Sequence, residues 1–147
     1  LEAGRHAPVV APDAGAAGLG QLRAVKDIDP GEWFFKAHFF QDPVQPGSLG
    51  LEAMLQTLQW YLLQQEGVDS MANPRFESIA LDRAHRWKYR GQVLPHHLRV
   101  HTTLEVTARG TDARGIYAIA DASLWVDGQR IYEATGLGVR IVADASA

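Results

Sequence analysis

Two titratable side chains stand in unusual surroundings in the first half of the chain: His38 lies inside an aromatic segment, and Glu52 inside a strongly apolar one. An unpaired carboxylate pays a large desolvation cost in such surroundings, and burial disfavours the charged form more strongly than a helix N-terminus favours it. Burial also disfavours a charged imidazole. We therefore expect Glu52 to be an un-ionised acid and His38 a neutral base, the pair that elimination of water requires.

The turn Pro46-Gly47-Ser48 lies between these two residues and opens the apolar segment. Glycine lets another group approach the backbone closely, and the first N–H groups of a helix have no partner within it. Such N–H groups can polarise a carbonyl oxygen and so acidify the neighbouring carbon. Gly47 is the candidate polarising residue, with Pro46 and Ser48 beside it in a candidate substrate-binding turn.

Each of these signals also has a plainer interpretation. His38 could be a buried histidine with a satisfied hydrogen bond, Glu52 a carboxylate paired with a buried donor, and Pro-Gly only a helix start. No His, Asp and Glu spacing is typical of a metal site, and Ser48 lacks a Gly-x-Ser-x-Gly elbow. Four further histidines are interpreted as ordinary strand or loop residues: His85, His96, His97 and His101.

Composition narrows the classes of function. The 147 residues are enough for one domain, and 46% hydrophobic residues can build its core. Fourteen Lys and Arg against 17 Asp and Glu, with no basic run, argue against nucleic acid as the main partner. The absence of cysteine excludes disulfides, thiolate metal sites and a cysteine nucleophile. No stretch is apolar enough to span a bilayer and the start does not resemble a signal peptide, so we expect a cytoplasmic protein.

One long helix is predicted from Ser48 to about Glu66, a stretch without proline and rich in helix-forming residues. Leu51, Leu55, Leu58 and Leu62 form one stripe at helical spacing, and further apolar residues extend around the helix. A helix of this kind is expected to be wrapped by other elements. Residues 33–40, which come before it, are expected to form a buried, non-repetitive segment.

Strands are predicted mainly in the second half of the chain, where apolar residues alternate with polar ones. Asp127-Gly128 favours a two-residue hairpin turn with positive φ at both positions. The four strands after the helix are expected to be joined by hairpin-compatible connections. The predicted strands are 7–11, 20–28, 79–89, 98–106, 116–126 and 131–141. Together these elements predict an α+β fold in which one antiparallel sheet wraps around one long central helix.

The chain resembles the 3-hydroxyacyl-[acyl carrier protein] dehydratases of the hot-dog fold, in particular the 3-hydroxydecanoyl dehydratase/isomerase type. The residues that carry the resemblance extend from about residue 20 to 142: Trp33-Phe34-Phe35, His38-Phe39-Phe40, Asp42-Pro43-Val44, Pro46-Gly47, Leu49-Gly50-Leu51, Gly91 to Pro95, Val126-Asp127-Gly128 and Ile131-Tyr132. The resemblance implies a hot-dog dehydratase domain over residues 20–147, after an irregular lead over 1–19 with a possible first strand.

The resemblance also implies roles for residues. His38 matches the histidine that takes the α-proton, and Glu52 matches the acid. Gly47 matches the residue whose N–H polarises the thioester carbonyl, and Val44 the residue whose carbonyl orients the histidine ring. The acid of the dehydratase/isomerase branch is typically Asp, whereas Glu is typical of the branch that only dehydrates, so the isomerase step stays open.

In this family the acid comes from the helix of a neighbouring hot-dog domain. The resemblance therefore implies a homodimer or a tandem pseudo-dimer. The short lead and the start at Leu1 are similar to dehydratase domains embedded in polyunsaturated fatty acid or polyketide-type synthases. No cofactor is implied, because the substrate is carried on the phosphopantetheine of an acyl carrier protein.

An acidic carrier protein implies a positive rim at the site. Arg109 and Arg114, expected at the two ends of a loop, align with basic positions that dock the carrier in this family, and Arg83, Arg86, Lys88 and Arg90 form a second basic stretch. An ordinary solvated face is the alternative. Two other functions stay open: a catalytically idle structural or acyl-binding module, and a thioesterase on the same fold. Acyl chain length is not predicted, since it depends on side chains near Trp60, Trp87 and Trp125.

Overall fold

A computed structural model describes residues 6–77 and 84–144 of the chain. These residues form two helices and a seven-stranded sheet. The elements in chain order are β1 (Val9–Ala11), β2 (Gln21–Asp27), α1 (Trp33–Ala37), α2 (Gly47–Leu63), β3 (Pro74–Glu77), β4 (Arg86–Tyr89), β5 (Arg99–Thr111), β6 (Ile116–Val126) and β7 (Gln129–Ala143).

The sheet is antiparallel throughout, with the strand order β1-β2-β5-β6-β7-β3. Strand β4 also pairs with β7, at residues 132–135, whereas β3 pairs with residues 140–143. The two short strands therefore follow each other along the same edge of β7. The predicted α+β hot-dog architecture, with an antiparallel sheet and one long helix packed against it, is confirmed.

The β6–β7 hairpin has the turn that the sequence predicts. Asp127 and Gly128 have φ values of 47° and 86°, and Val126 pairs with Gln129. The Asp127 carboxylate accepts hydrogen bonds from the backbone N–H groups of Leu98 and Arg99, at 2.9–3.1 Å. The turn is thus fastened to the start of β5, two strands away from β7.

Helix α2 packs its buried face on the inner face of the sheet. The buried residues of α2 are Gly50, Met54, Leu55, Thr57, Leu58, Tyr61 and Leu62. They meet a layer of buried strand residues that includes Leu22, Leu104, Val106, Leu124, Tyr132 and Leu137. The other side of α2 carries exposed polar residues, so the sheet covers the helix on one side and leaves a strip of it open.

Two expectations about the elements are wrong. The connection from β4 to β5 is not a hairpin, because β4 lies beside β7 while β5 lies between β2 and β6. Residues 33–40 begin with the short helix α1, and only part of this segment is buried. Trp33, Phe39 and Phe40 are 67%, 56% and 88% exposed, since a single chain offers no surface to cover them.

The strand predicted over residues 79–89 is observed only as β4. Its first part, residues 79–83, lies outside the described residues. Strand β1 lies within the predicted lead and pairs with β2. The division into a lead over residues 1–19 and a domain over 20–147 stays a prediction.

Candidate active site

His38 is held by the loop that joins the two helices. Its Nδ1 lies 3.1 Å from the carbonyl oxygen of Val44, which is the contact that the resemblance implies. A carbonyl can only accept, so Nδ1 carries the proton in this hydrogen bond. In the neutral ring, this hydrogen bond selects the tautomer whose other nitrogen, Nε2, has the lone pair. Nε2 is then the atom that can act as a general base.

The loop around His38 is fixed by backbone hydrogen bonds. The Val44 N–H donates to the His38 carbonyl at 2.8 Å, while Phe39 and Asp42 exchange two backbone hydrogen bonds at 3.0 and 3.2 Å. The Gln45 N–H donates to the carbonyl of Val93 at 2.9 Å. Because Val44 and Val93 are buried, the loop is anchored to the core, and the imidazole has a defined position.

Gly47 is the first residue of α2, and Pro46 precedes it as the N-cap without a side-chain cap. The first N–H groups of an α-helix have no acceptor within the helix, so the N–H of Gly47 can donate to a ligand. A Cβ atom at Gly47 would lie 2.8 Å from Cε2 of Tyr89. Glycine is required here because the aromatic ring on β4 lies directly against the helix start.

Glu52 is exposed in the single chain, so its apolar neighbours along the sequence do not bury it, and its role as an un-ionised acid stays a prediction. It lies on the open side of α2, one turn after Gly47, and Gln56 donates a hydrogen bond to its Oε1 at 3.2 Å. Any desolvation of this carboxyl group would have to come from a substrate or from a second domain. Gln56 was not singled out from the sequence, although its spacing of four residues from Glu52 places both on one helix face.

A groove of about 690 Å³ lies between the sheet and the flank of α2 next to its open side, and Glu52 forms part of its wall. One wall is a stripe of α2 at helical spacing, and the others come from β2, α1 and neighbouring strands. The α2 wall consists of Leu49, Glu52, Ala53, Gln56, Thr57 and Trp60. Opposite it lie Ala24, Lys26, Glu32, Trp33, Val100, Thr102 and Leu124, among others.

His38 does not line this groove, whereas Glu52 does. In this groove, one copy of the domain therefore does not bring its own histidine beside its own carboxyl group. His38 instead lies next to Phe39 and Phe40, whose rings are largely exposed. The observed placement fits a site in which these two groups come from different domains.

The basic residues have other environments than the sequence predicts. Arg109 lies inside β5 and not at the end of a loop, and its Nη1 donates to the Tyr61 hydroxyl and to Gln65 Oε1, both at 2.8 Å. Arg114 lies in the β5–β6 turn and forms an ion pair with Glu77 at 2.7 Å. Arg90 pairs with Glu133 at 2.9 Å, and Arg83 lies outside the described residues.

Within residues 6–77 and 84–144, no group of three His, Asp or Glu side chains could hold a metal ion. In the same part of the chain, neither helix has the length and apolar character to cross a membrane.

A model of the FabA-like domain matches residues 8–135. The chain belongs to the FabA-like domain family. This FabA-like domain is also 36% identical over 132 residues to one of the subunits of a polyunsaturated fatty acid synthase from Thraustochytrium sp.. The match covers 88% of the chain but only 9% of that relative, so the domain spans a small part of the relative's length.

Solved structures support the same fold for this FabA-like domain. A mutant thioesterase from Pseudomonas aeruginosa is 12% identical, with a TM-score of 0.55 over 83% of this chain and 74% of that one. A thioesterase from Haemophilus influenzae is 8% identical, with a TM-score of 0.54 over 95% and 82% of the two chains. At these identities the likeness shows the hot-dog fold alone.

Proposed function

We propose that this FabA-like domain removes water from 3-hydroxyacyl thioesters carried by an acyl carrier protein and releases trans-2-enoyl thioesters. The observation that carries the proposal is the hydrogen bond from His38 Nδ1 to the Val44 carbonyl, because it leaves Nε2 as a base. The FabA-like family and the polyunsaturated fatty acid synthase relative support fatty acid biosynthesis as the setting.

In the proposed reaction, Nε2 of His38 takes a proton from the carbon next to the thioester carbonyl. The Gly47 N–H donates to the carbonyl oxygen, which bears the developing negative charge. Glu52 gives its proton to the 3-hydroxyl group, the C–O bond breaks, and water leaves as the new C=C bond forms. The site returns to its starting state when the imidazolium loses its proton and Glu52 regains one, with water as the carrier.

The carboxyl group is supplied by a second domain in this proposal. His38 does not line the groove that Glu52 of the same chain lines, and exposed aromatic rings lie directly after His38. Apposition of a second hot-dog domain at this surface would cover Phe39 and Phe40 and would desolvate Glu52. The partner is a second copy in a homodimer or the neighbouring domain in a tandem pseudo-dimer.

The decisive experiment compares the domain with His38→Ala and Glu52→Gln on a 3-hydroxyacyl thioester, following the absorbance of the conjugated enoyl product. Loss of one general acid or base typically costs about 10²–10⁴-fold in rate, so we expect each variant to lose at least 100-fold. His96→Ala is the matched control and should retain activity. Full activity in either site variant would contradict the assigned roles, and release of a free thiol would indicate a thioesterase.

Mixing the two inactive variants tests whether the site is shared. In a homodimer, random exchange makes half of the dimers mixed, and each mixed dimer has one intact site of two. We therefore expect roughly a quarter of the wild-type activity to return after unfolding and refolding the mixture. No recovery from a dimeric mixture would show that each chain supplies both groups to its own site.

Arg109 and Arg114 are retained in the proposal as docking residues for the carrier. Both are exposed, and Arg114 lies in a turn that projects from the sheet. The bonds from Arg109 to Tyr61 and Gln65 mean that its guanidinium also has a structural role.

A further inference from the structure

Trp60 is the last α2 residue in the wall of the groove that Glu52 also lines. Six α2 residues line this groove, and Trp60 is the last of them and has the largest side chain. Glu52 lies eight positions earlier on the same helical stripe. The stripe therefore leads directly from the proposed acid to an indole ring.

The position of Glu52 gives the groove a direction. In the proposed reaction the carbon that loses its hydroxyl group must lie at the Glu52 carboxyl, while the thioester end lies at His38 and Gly47 of the other domain. The rest of the acyl chain then extends from Glu52 into the groove, along Ala53 and Thr57 and towards Trp60. Leu124 and Val100 on the sheet provide apolar surface on the opposite side.

We infer that Trp60 sets the length of the acyl chain that this domain accepts. The inference rests on the proposed function, since Glu52 is taken as the reacting end of the groove. The rise of an α-helix between positions 52 and 60 is about 12 Å. With C–C bonds of about 1.5 Å at tetrahedral angles, such a distance holds roughly nine chain carbons beyond the reacting carbon.

The other two candidate tryptophans do not have this position. Trp125 follows Leu124 on β6 and so faces the opposite side of the sheet, where its Nε1 donates to Thr103 Oγ1 at 3.1 Å. Trp87 packs edge-to-face on Tyr132, at 5.8 Å between ring centroids, and does not line the groove. Trp125 is therefore the matched control for a change at Trp60.

The test measures kcat/KM for 3-hydroxyacyl thioesters whose chains increase by two carbons, with wild type, Trp60→Ala and Trp125→Ala. Each methylene that becomes buried should raise kcat/KM by about fourfold, up to the length at which the chain meets Trp60. We expect Trp60→Ala to move the optimum to chains at least two carbons longer and Trp125→Ala to leave it in place. Trp60→Phe should give an intermediate shift, and it keeps the test valid if the alanine variant folds poorly.

A binding series separates failure of this inference from failure of the proposed function. S-alkyl pantetheines are thioethers without a carbonyl and cannot be dehydrated, so calorimetry with them reports the groove alone. The wild type could dehydrate no substrate while the thioethers that Trp60→Ala binds best are longer than those that the wild type binds best. In that case the proposed reaction is wrong and the role of Trp60 stands. An optimum that does not move in Trp60→Ala, whether measured with substrates or with thioethers, overturns the role of Trp60.

Discussion

At the scale of single residues, the start of α2 depends on contacts that leave no room for a side chain. Gly50 is buried against the ring of Tyr132, and the Tyr132 ring in turn stacks on Tyr89 with 4.8 Å between centroids. Tyr132 is fully buried, and this burial raises the pKa of its phenol, which therefore stays protonated. The two glycines of the first helical turns, Gly47 and Gly50, let α2 lie directly on this aromatic layer.

Replacing Gly50 with alanine should destabilise the domain. In an ordinary helix, Gly→Ala stabilises by about 0.5–1 kcal/mol, but here the new Cβ would overlap the Tyr132 ring. Overpacking of a core costs about 1–3 kcal/mol, so we expect the free energy of unfolding to fall in a urea titration. In a Tyr132→Leu background the same change should cost less, and an equal cost in both backgrounds would show that the ring is not the obstacle.

The contact of His38 with Val44 is implied by sequence resemblance, because both residues belong to one motif whose local backbone brings them together. The surroundings of Glu52 could not be predicted in the same way. An apolar neighbourhood in the sequence does not specify which side of a helix the sheet covers, and Glu52 lies on the uncovered side. Burial is a property of tertiary packing, which nearest neighbours along the chain do not determine.

At the scale of elements, β5, β6 and β7 form two successive hairpins, and the Asp127 carboxylate links the second turn to the start of β5. The backbone N–H groups of Leu98 and Arg99 donate to this carboxylate and hold its pKa below the usual range. A group whose pKa is lowered on folding stabilises the folded state above its unfolded pKa. That contribution is lost as the pH falls through the lower, folded value.

Asp127→Asn should therefore reduce stability most at neutral pH. Asparagine tolerates the positive φ at this position, so the turn is kept while the charge is removed. We expect the difference in unfolding free energy between wild type and variant to shrink below about pH 4, where Asp127 of the unfolded chain becomes protonated, and to be lost below the folded pKa. Asp69→Asn is a surface control that should stay within about 0.5 kcal/mol of wild type. A difference that is constant with pH would exclude the charge as the cause.

The strands with clear alternation are predicted well, and β6 is observed with the predicted bounds, Ile116–Val126. The connection between β4 and β5 is not predicted, because the alternation of apolar and polar residues identifies a strand but does not specify which strands pair with it. Sheet order depends on which edges remain available once α2 has packed, and here β4 and β3 share the outer edge of β7. The short helix α1 was also missed, since an aromatic run carries no clear helical period.

At the scale of the whole molecule, the proposed site needs more than one chain. A second domain is proposed to supply the acid, and a carrier protein is proposed to dock at the rim of the sheet where Arg109 and Arg114 lie. Arg114 is paired with Glu77, so its charge is partly offset within the domain. Docking would then depend on the electrostatic field of all the charges along this rim and on ionic strength, as is usual for electrostatically steered association.

Reversing both arginines, Arg109→Glu with Arg114→Glu, should raise KM for a carrier-bound substrate much more than KM for a short thioester. A lost contact pair at a polar interface is typically worth tenfold or more. Loss of the hydrogen bonds that Arg109 makes inside the domain should affect both substrates equally. The ratio of the two KM values therefore reports the effect on carrier docking. Arg23→Glu with Arg75→Glu is the control, because it also reverses two exposed arginines, on β2 and β3. If the ratio changes equally in the control, the effect is one of net charge and not of docking at this rim.

The two sides of α2 have different roles: one side packs in the core, and the other carries the proposed acid. Residues such as Met54 and Leu58 maintain the scaffold, whereas Glu52 and Gln56 project from the opposite side and contribute nothing to that core. An engineer could thus exchange the acid for another functional group without rebuilding the protein interior. Evolution would have the same freedom, since a new chemistry on this helix requires no new way to fold.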